Sequence, residues 1–261
     1  MEFSVLGTLT VTANGAPIEL GGATQRAVLG YLLLNANQMV PISQLIRVLW
    51  RDDPPSTARK MVHNSVWSIR RSMVAPRGRA VKLATQPPGY VFRVDDDSVD
   101  LFRFRRLVRQ GRQELDRGAI ERGIDLLRQG LALWRGQALA DVVDQAQRWS
   151  ELVAIEDERL GAYEDCLENE LACGRHRELT AELERLTAAQ PRRESLHRLY
   201  MLALYRSGRQ LDALDVFQRV RTSLVDGSGV EPGRELQRVH ELILRHDRSL
   251  HSDPGRTVLH P

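Results

Sequence analysis

Apolar residues recur along this chain with two different periods. Over the first 20 residues, "EFSVLGTLTV" and "APIEL" read as short strands. The Asn14-Gly15 dipeptide between them is a hairpin signal, because a tight two-residue turn needs positive φ at both positions. "ATQRAVLGYLLLNAN" changes to a helical period, with Thr24 the expected N-cap and Val28, Leu29, Leu32 and Leu33 on one face. "ISQLIRVLW" reads as a second helix, capped by Ser43, with Leu45, Ile46 and Leu49 as its apolar positions. "RDDPPS" stops it, since the residue before a proline disfavours helix. A third helix, "STARKMVHNSVWSIRRSM", follows, and "AVKLATQPPGYVFRV" reads as two strands about a Pro-Pro-Gly turn.

Strands, three helices and a hairpin, in that order, predict a winged helix-turn-helix domain over residues 1–95. "VDDDSVD", residues 94–100, is an acidic junction. Beyond it nearly everything is amphipathic helix: "LFRFRRLVRQGRQEL", "IERGIDLLRQGLALW", a long stretch from about residue 147 to Ala172, then shorter segments. "ELACGRHRELTAELERL" and "ALYRSGRQLDALDVFQRV" align on Gly174-Arg175 and Gly208-Arg209, and "DRGAIERGIDLLRQGLALW" is a more divergent unit. The 34-residue spacing of the two glycines is the tetratricopeptide period, with Gly at the turn between paired helices. The fold class expected is therefore mainly α with small β elements. An N-terminal winged helix-turn-helix domain precedes an all-α tetratricopeptide-like domain over residues 99–246, and residues 247–261 form a flexible tail.

The third helix carries the chemistry. At about 100° per residue, Ala58, Val62, Val66, Ile69 and Met73 fall on one stripe, bordered by Ser65. Arg59, Lys60, His63, Asn64, Trp67, Arg70 and Arg71 fall on the opposite arc, which holds no acid. Charge sharpens this pattern. Residues 1–98 hold 11 Lys/Arg against 7 Asp/Glu, the remainder 26 against 27, and no acidic residue lies between Pro54 and Val94. A basic block in a nearly neutral chain points to a polyanion. A B-DNA major groove admits one helix and rewards this inventory: arginine pairs with guanine, asparagine with adenine, and outer cations meet phosphate. Arg77, Arg79, Lys82 and Arg93, flanking and on the hairpin, are expected to lie across the DNA backbone or minor groove. Trp67, on the wet arc, is left with the DNA, a protein partner or the hairpin to pack on.

Other functions find no support. Cys166 and Cys173 lack a C-x-x-C pair and read as two buried or half-buried thiols. The histidines show no H-E-x-x-H pattern, and no phosphate loop or G-x-S-x-G occurs. No catalytic residue, metal or cofactor is expected. No apolar run approaches the roughly 20 residues that a membrane span needs, and the N-terminus does not read as a signal peptide. A cytoplasmic, nucleoid-associated protein is expected.

Several blocks in fixed order resemble the Streptomyces antibiotic regulatory proteins (SARPs): "LLLNANQMVPISQLIRVLW", "DDPPSTARK", "VWSIRRSM", "QPPGYVFRV", "VDLFRF", "LALWRGQALAD", "YMLALYRSGRQLDAL" and "GVEPGRELQRVHELIL". The resemblance implies an OmpR-type winged helix followed by a bacterial transcriptional activation domain, in the small form of the family. It implies a pathway-specific activator of antibiotic or secondary-metabolite genes, which binds tandem direct repeats near the promoter −35 element. The implied partners are double-stranded promoter DNA, a second protomer on that DNA, and RNA polymerase with its principal sigma factor. Transferred here, the reader helix runs from Arg59 to Arg71 and the wing from Lys82 to Arg93. Trp50, Arg51, Asp52, Asp53, Pro54 and Pro55 form the turn facing the polymerase. Neither a receiver-domain aspartate nor ATP dependence is expected. Many relatives resemble "YVSRLRR" where this chain has Ser65 to Arg71, so Trp67 and Ser68 depart from the pattern. A repressor of the same architecture, or a helical-repeat adaptor or sensor, is the alternative.

Overall fold

Asn14 and Gly15 both take positive φ, 52° and 80°, which is the backbone of a type I′ turn. They join β2 (Thr10–Ala13) to β3 (Ala16–Pro17). The run expected as one strand before them is turned at Gly7, φ 149°. Its first part, β1 (Glu2–Ser4), folds back antiparallel on β2, giving a sheet ordered β1-β2-β3. The computed structural model describes residues 1–73, 82–142 and 149–250.

Helix α1 (Ala23–Leu34) begins one residue before the expected cap. Gly22, in extended backbone, is the N-cap, and its carbonyl accepts from the Arg26 N–H at 3.1 Å, which places Thr24 inside the first turn. The helix is buried all round from Ala27 to Leu34 rather than on one face. Helix α2 (Ile42–Trp50) likewise starts after Pro41 and not at Ser43. The reason is a strand the sequence did not reveal: β4 (Met39–Pro41) runs directly into α2. Helix α3 (Ala58–Ser72) packs on α1 and α2 through the expected stripe, with Val62 and Ile69 fully buried and Ala58, Val66 and Met73 nearly so. Each large side chain so buried contributes about 1.5–3 kcal/mol.

The hairpin β5 (Lys82–Gln86) and β6 (Gly89–Arg93) forms where expected, but as part of a three-stranded sheet ordered β4-β6-β5. Pro41 pairs with Gly89 and Val40 with Tyr90. Here the backbones approach so closely that a Cβ on Gly89 would lie 1.9 Å from the Val40 carbonyl oxygen. Phe3 of β1 meets Phe92 of β6 edge-on at 5.5 Å.

By packing, the chain divides into two units: Met1–Gln113 with Asp125–Leu160, and Glu114–Ile124 with Gly161–Pro261. The first unit therefore continues past residue 95. Helix α4 (Asp100–Asp116) opens with Asp100, whose buried carboxylate accepts from the Val5 N–H at 2.8 Å and the Leu6 N–H at 3.1 Å, with Arg135 at 3.3 Å. Asp141 accepts from the Leu9 N–H and pairs with Arg26. Tyr31 donates to Glu151 at 2.5 Å, accepts from Gln44, and meets Trp149 edge-on. Burial, then the bond to Glu151, raises the Tyr31 hydroxyl to about 12.

In the second unit, α7 (His176–Ala189), α8 (Glu194–Arg206), α9 (Gln210–Ser228) and α10 (Arg234–Leu244) pack in succession, and α10 also meets α8. The aligned glycines make the same turn. Gly174 and Gly208 have φ of 83° and 80°. Their N–H groups donate three residues back, to Leu171 and Tyr205, while Arg175 and Arg209 donate five back, to Glu170 and Leu204. This is the Schellman arrangement, which calls for the left-handed backbone glycine adopts without strain. Gly118, between α4 and α5 (Ile120–Leu131), repeats it, so the divergent unit shares the turn. Helix α5 stops at Leu131, short of the expected Trp134. The long helix, α6, is described from Ser150 to Ala172, and residues 147–148 lie outside the described residues. Cys166 is buried, but Cys173 is exposed where a covered thiol was expected, because it sits at the turn following α6. Part of the expected tail is ordered: Leu250 is buried and its carbonyl accepts from Arg206 Nε at 2.7 Å.

Candidate nucleic-acid interface

Helix α3 shows its basic arc to solvent, with Arg59, Lys60, His63, Asn64, Trp67, Arg70 and Arg71 all exposed. No acidic residue interrupts this face, because none occurs in the helix sequence. The residues do not stand alike, however. On the side toward the hairpin, Arg70 Nε donates to the Leu83 carbonyl and Nη2 to Thr85 Oγ1, both at 2.8 Å. Its guanidinium also lies 5.9 Å from the Tyr90 ring centre. His63 Nδ1 is 2.6 Å from the Tyr90 hydroxyl. The two groups share a hydrogen bond, and burial raises the Tyr90 hydroxyl above its ordinary value. Both side chains, expected as readers, thus hold α3 to the hairpin.

On the other side of the arc, Trp67 is 62% exposed, which removes the hairpin as its burial site. The Arg71 guanidinium lies 5.5 Å from its ring centre, a cation–π distance. One face of the indole is therefore lined by a cation and the ring as a whole stays wet.

Arg93, the last residue of β6, is exposed, and its backbone partner across the sheet is Lys82. Arg77 and Arg79 lie outside the described residues. In the turn after α2, Arg51, Asp52, Asp53, Pro54 and Pro55 are all exposed and Trp50 is half-buried. Arg51 takes φ 52° and donates its N–H to the Arg47 carbonyl, ending α2 before the prolines rather than at them. Two contributors were not foreseen in their roles: Thr85 and Tyr90, the hairpin partners of Arg70 and His63. The wheel names the arc on which a helix residue lies, but no spacing rule ties position 63 to position 90.

Against known proteins, residues 99–244 match the bacterial transcriptional activator domain family. The chain is 35% identical to the regulatory protein DnrI of Streptomyces peucetius, over 98% of this chain and 94% of DnrI. It is 37% identical to the transcriptional regulatory protein EmbR of Mycobacterium tuberculosis, over 94% of this chain and 63% of EmbR. It is also 37% identical to the regulatory protein AfsR of Streptomyces coelicolor, of which it spans 25%. Among solved structures, Mycobacterium tuberculosis EmbR in complex with a low-affinity phosphopeptide superposes with a TM-score of 0.83 at 36% identity, covering 94% of this chain and 65% of that one.

Proposed function

Because the chain belongs to the Streptomyces antibiotic regulatory protein family, and is therefore a transcriptional regulator rather than an enzyme, we propose that it is a sequence-specific activator that reads promoter DNA with α3. The observation that carries this reading is the exposed, acid-free arc of α3 beside a hairpin that braces it. The element order supports an OmpR-type winged helix, with the β5–β6 hairpin as the wing. In this reading Lys60, Asn64, Trp67 and Arg71 enter the major groove, and Arg59, Lys82 and Arg93 neutralise phosphates, with Arg77 and Arg79 alongside. Family membership supports tandem direct repeats near a −35 element, two protomers on one DNA face, and control of a secondary-metabolite cluster. Asp52 and Asp53 would be repelled by phosphate. Family membership supports RNA polymerase and its principal sigma factor as what this turn, Trp50 to Pro55, faces. A cytoplasmic, nucleoid-associated location follows from the same reading. Among the described residues no helix is long and apolar enough to cross a membrane.

DNase footprinting on the promoters beside its own gene, with run-off transcription, tests the two halves separately. Protection with added transcript is the expected result. Protection with loss of transcript would make the protein a repressor, and no protection would remove the DNA-binding reading. Affinity should fall by about 0.9 log units per decade of salt for each phosphate met. Arg59→Ala should lower that slope by about one while leaving the preferred sequence unchanged. An unaltered slope would take Arg59 off the phosphate backbone.

A further inference from the structure

The exposed arc of α3 consists of two ridges. Lys60, Asn64, Trp67 and Arg71 follow one another at steps of four, three and four residues, which line up along one side of a helix. His63 and Arg70 lie on a second line, and both are engaged with the hairpin. The bonds from Nε and Nη2 turn the Arg70 fork toward the hairpin. The first ridge has no such commitment among the described contacts, and its most unusual feature is the exposed indole. A tryptophan kept 62% in water gains from an apolar partner. In the major groove that partner is the C5-methyl group of thymine. Arg71, resting over the indole at 5.5 Å, presents its planar fork beside the same spot. The guanine O6 and N7 pair is the acceptor set that matches it.

Resting on the DNA-binding reading above, we propose that Trp67 and Arg71 are this chain's base-reading pair. Arg71 pairs with a guanine and the indole covers the methyl of a thymine one or two base pairs away, while His63 and Arg70 set the wing against the reader helix. Specificity therefore sits on one ridge and geometry on the other.

The experiment selects binding sites from a pool of DNA duplexes with a randomised core, using the full chain, Trp67→Ala, Arg71→Lys and Arg70→Gln. The wild type should enrich a motif in which a G·C pair stands within two positions of a T·A pair. Replacing that thymidine by deoxyuridine, which deletes one methyl, should weaken the wild type about fourfold and leave Trp67→Ala unaffected. Arg71→Lys should lose about tenfold of its preference for the guanine. Arg70→Gln should weaken all duplexes alike without changing the motif. Since the indole is exposed, Trp67→Ala should keep the wild-type melting temperature, and this confirms that the fold is intact. If the wild type enriches nothing, the DNA-binding reading itself fails. If it enriches a motif that Trp67→Ala and Arg71→Lys enrich unchanged, DNA binding stands and the pair assignment falls, which returns Trp67 to a protein partner.

Discussion

Asp100→Ala is expected to lower stability by about 2–5 kcal/mol, because it leaves two fully buried N–H donors, those of Val5 and Leu6, without acceptors. Loss of the pair with Arg135 adds little, since the Arg135 side chain is 42% exposed and can rehydrate. Denaturant melts of Asp100→Ala and Arg135→Ala separate the two causes, and equal losses would show that the ion pair and not the N–H bonds matters. Burial pushes the Asp100 carboxyl above its usual range, outweighing the two N–H bonds and Arg135, which pull it down. With the folded value raised, the charged form is less favourable in the fold than in the unfolded chain. That deficit is absent below the unfolded pKa and complete above the folded one, so this group's contribution falls as pH rises through that window. Asp100→Asn keeps one acceptor and removes the titration. Its loss should be smaller than alanine's, with a flatter acid limb of stability against pH.

The second large effect is expected at Gly89. An added methyl would run into the Val40–Pro41 peptide unit: the Val40 oxygen at 1.9 Å, the Val40 carbonyl carbon at 2.6 Å and Pro41 Cα at 2.7 Å. None of these is a flexible side chain, so β4 and β6 must separate. Gly89→Ala should cost about 3 kcal/mol, at the upper end for an overpacked site. Because Tyr90 is the next residue and holds His63, the proposed DNA binding should weaken even at temperatures where the variant is folded. A variant with wild-type affinity and a lowered melting point would uncouple the hairpin from the reader helix.

The elements that periodicity governs were legible from sequence. The stripe of α3 is buried as its 3.6-residue spacing dictates, and Asn14-Gly15, Gly174 and Gly208 take the positive φ their turns require. What escaped has a physical reason in each case. Strand β4 has three residues, too few to show any period, and it moved the cap of α2 from the expected Ser43 to Pro41. Nothing in the acidic junction marks one carboxylate for burial, because charged residues are usually solvated, yet Asp100 finds its partners about 95 residues earlier. In the site, the wheel placed Arg70 and Arg71 on the same wet arc. Only packing shows that one is held by β5 while the other lies on Trp67.

The carboxylates at 100, 141 and 151 are all made long after the groups they bind. Val5 and Leu6 emerge first from the ribosome, but their N–H groups wait for Asp100, that of Leu9 for Asp141, and the Tyr31 hydroxyl for Glu151. The N-terminal segment therefore cannot complete its bonding as it is made. Those bonds span 94 to 132 residues of chain, whereas the Schellman turns at Gly174 and Gly208 close within six. Local closures form faster than distant ones, so the later part of the nascent chain is the quicker to settle. Helix α1, on which α3 packs, thus completes the bonds of Tyr31 only after residue 151 has been made.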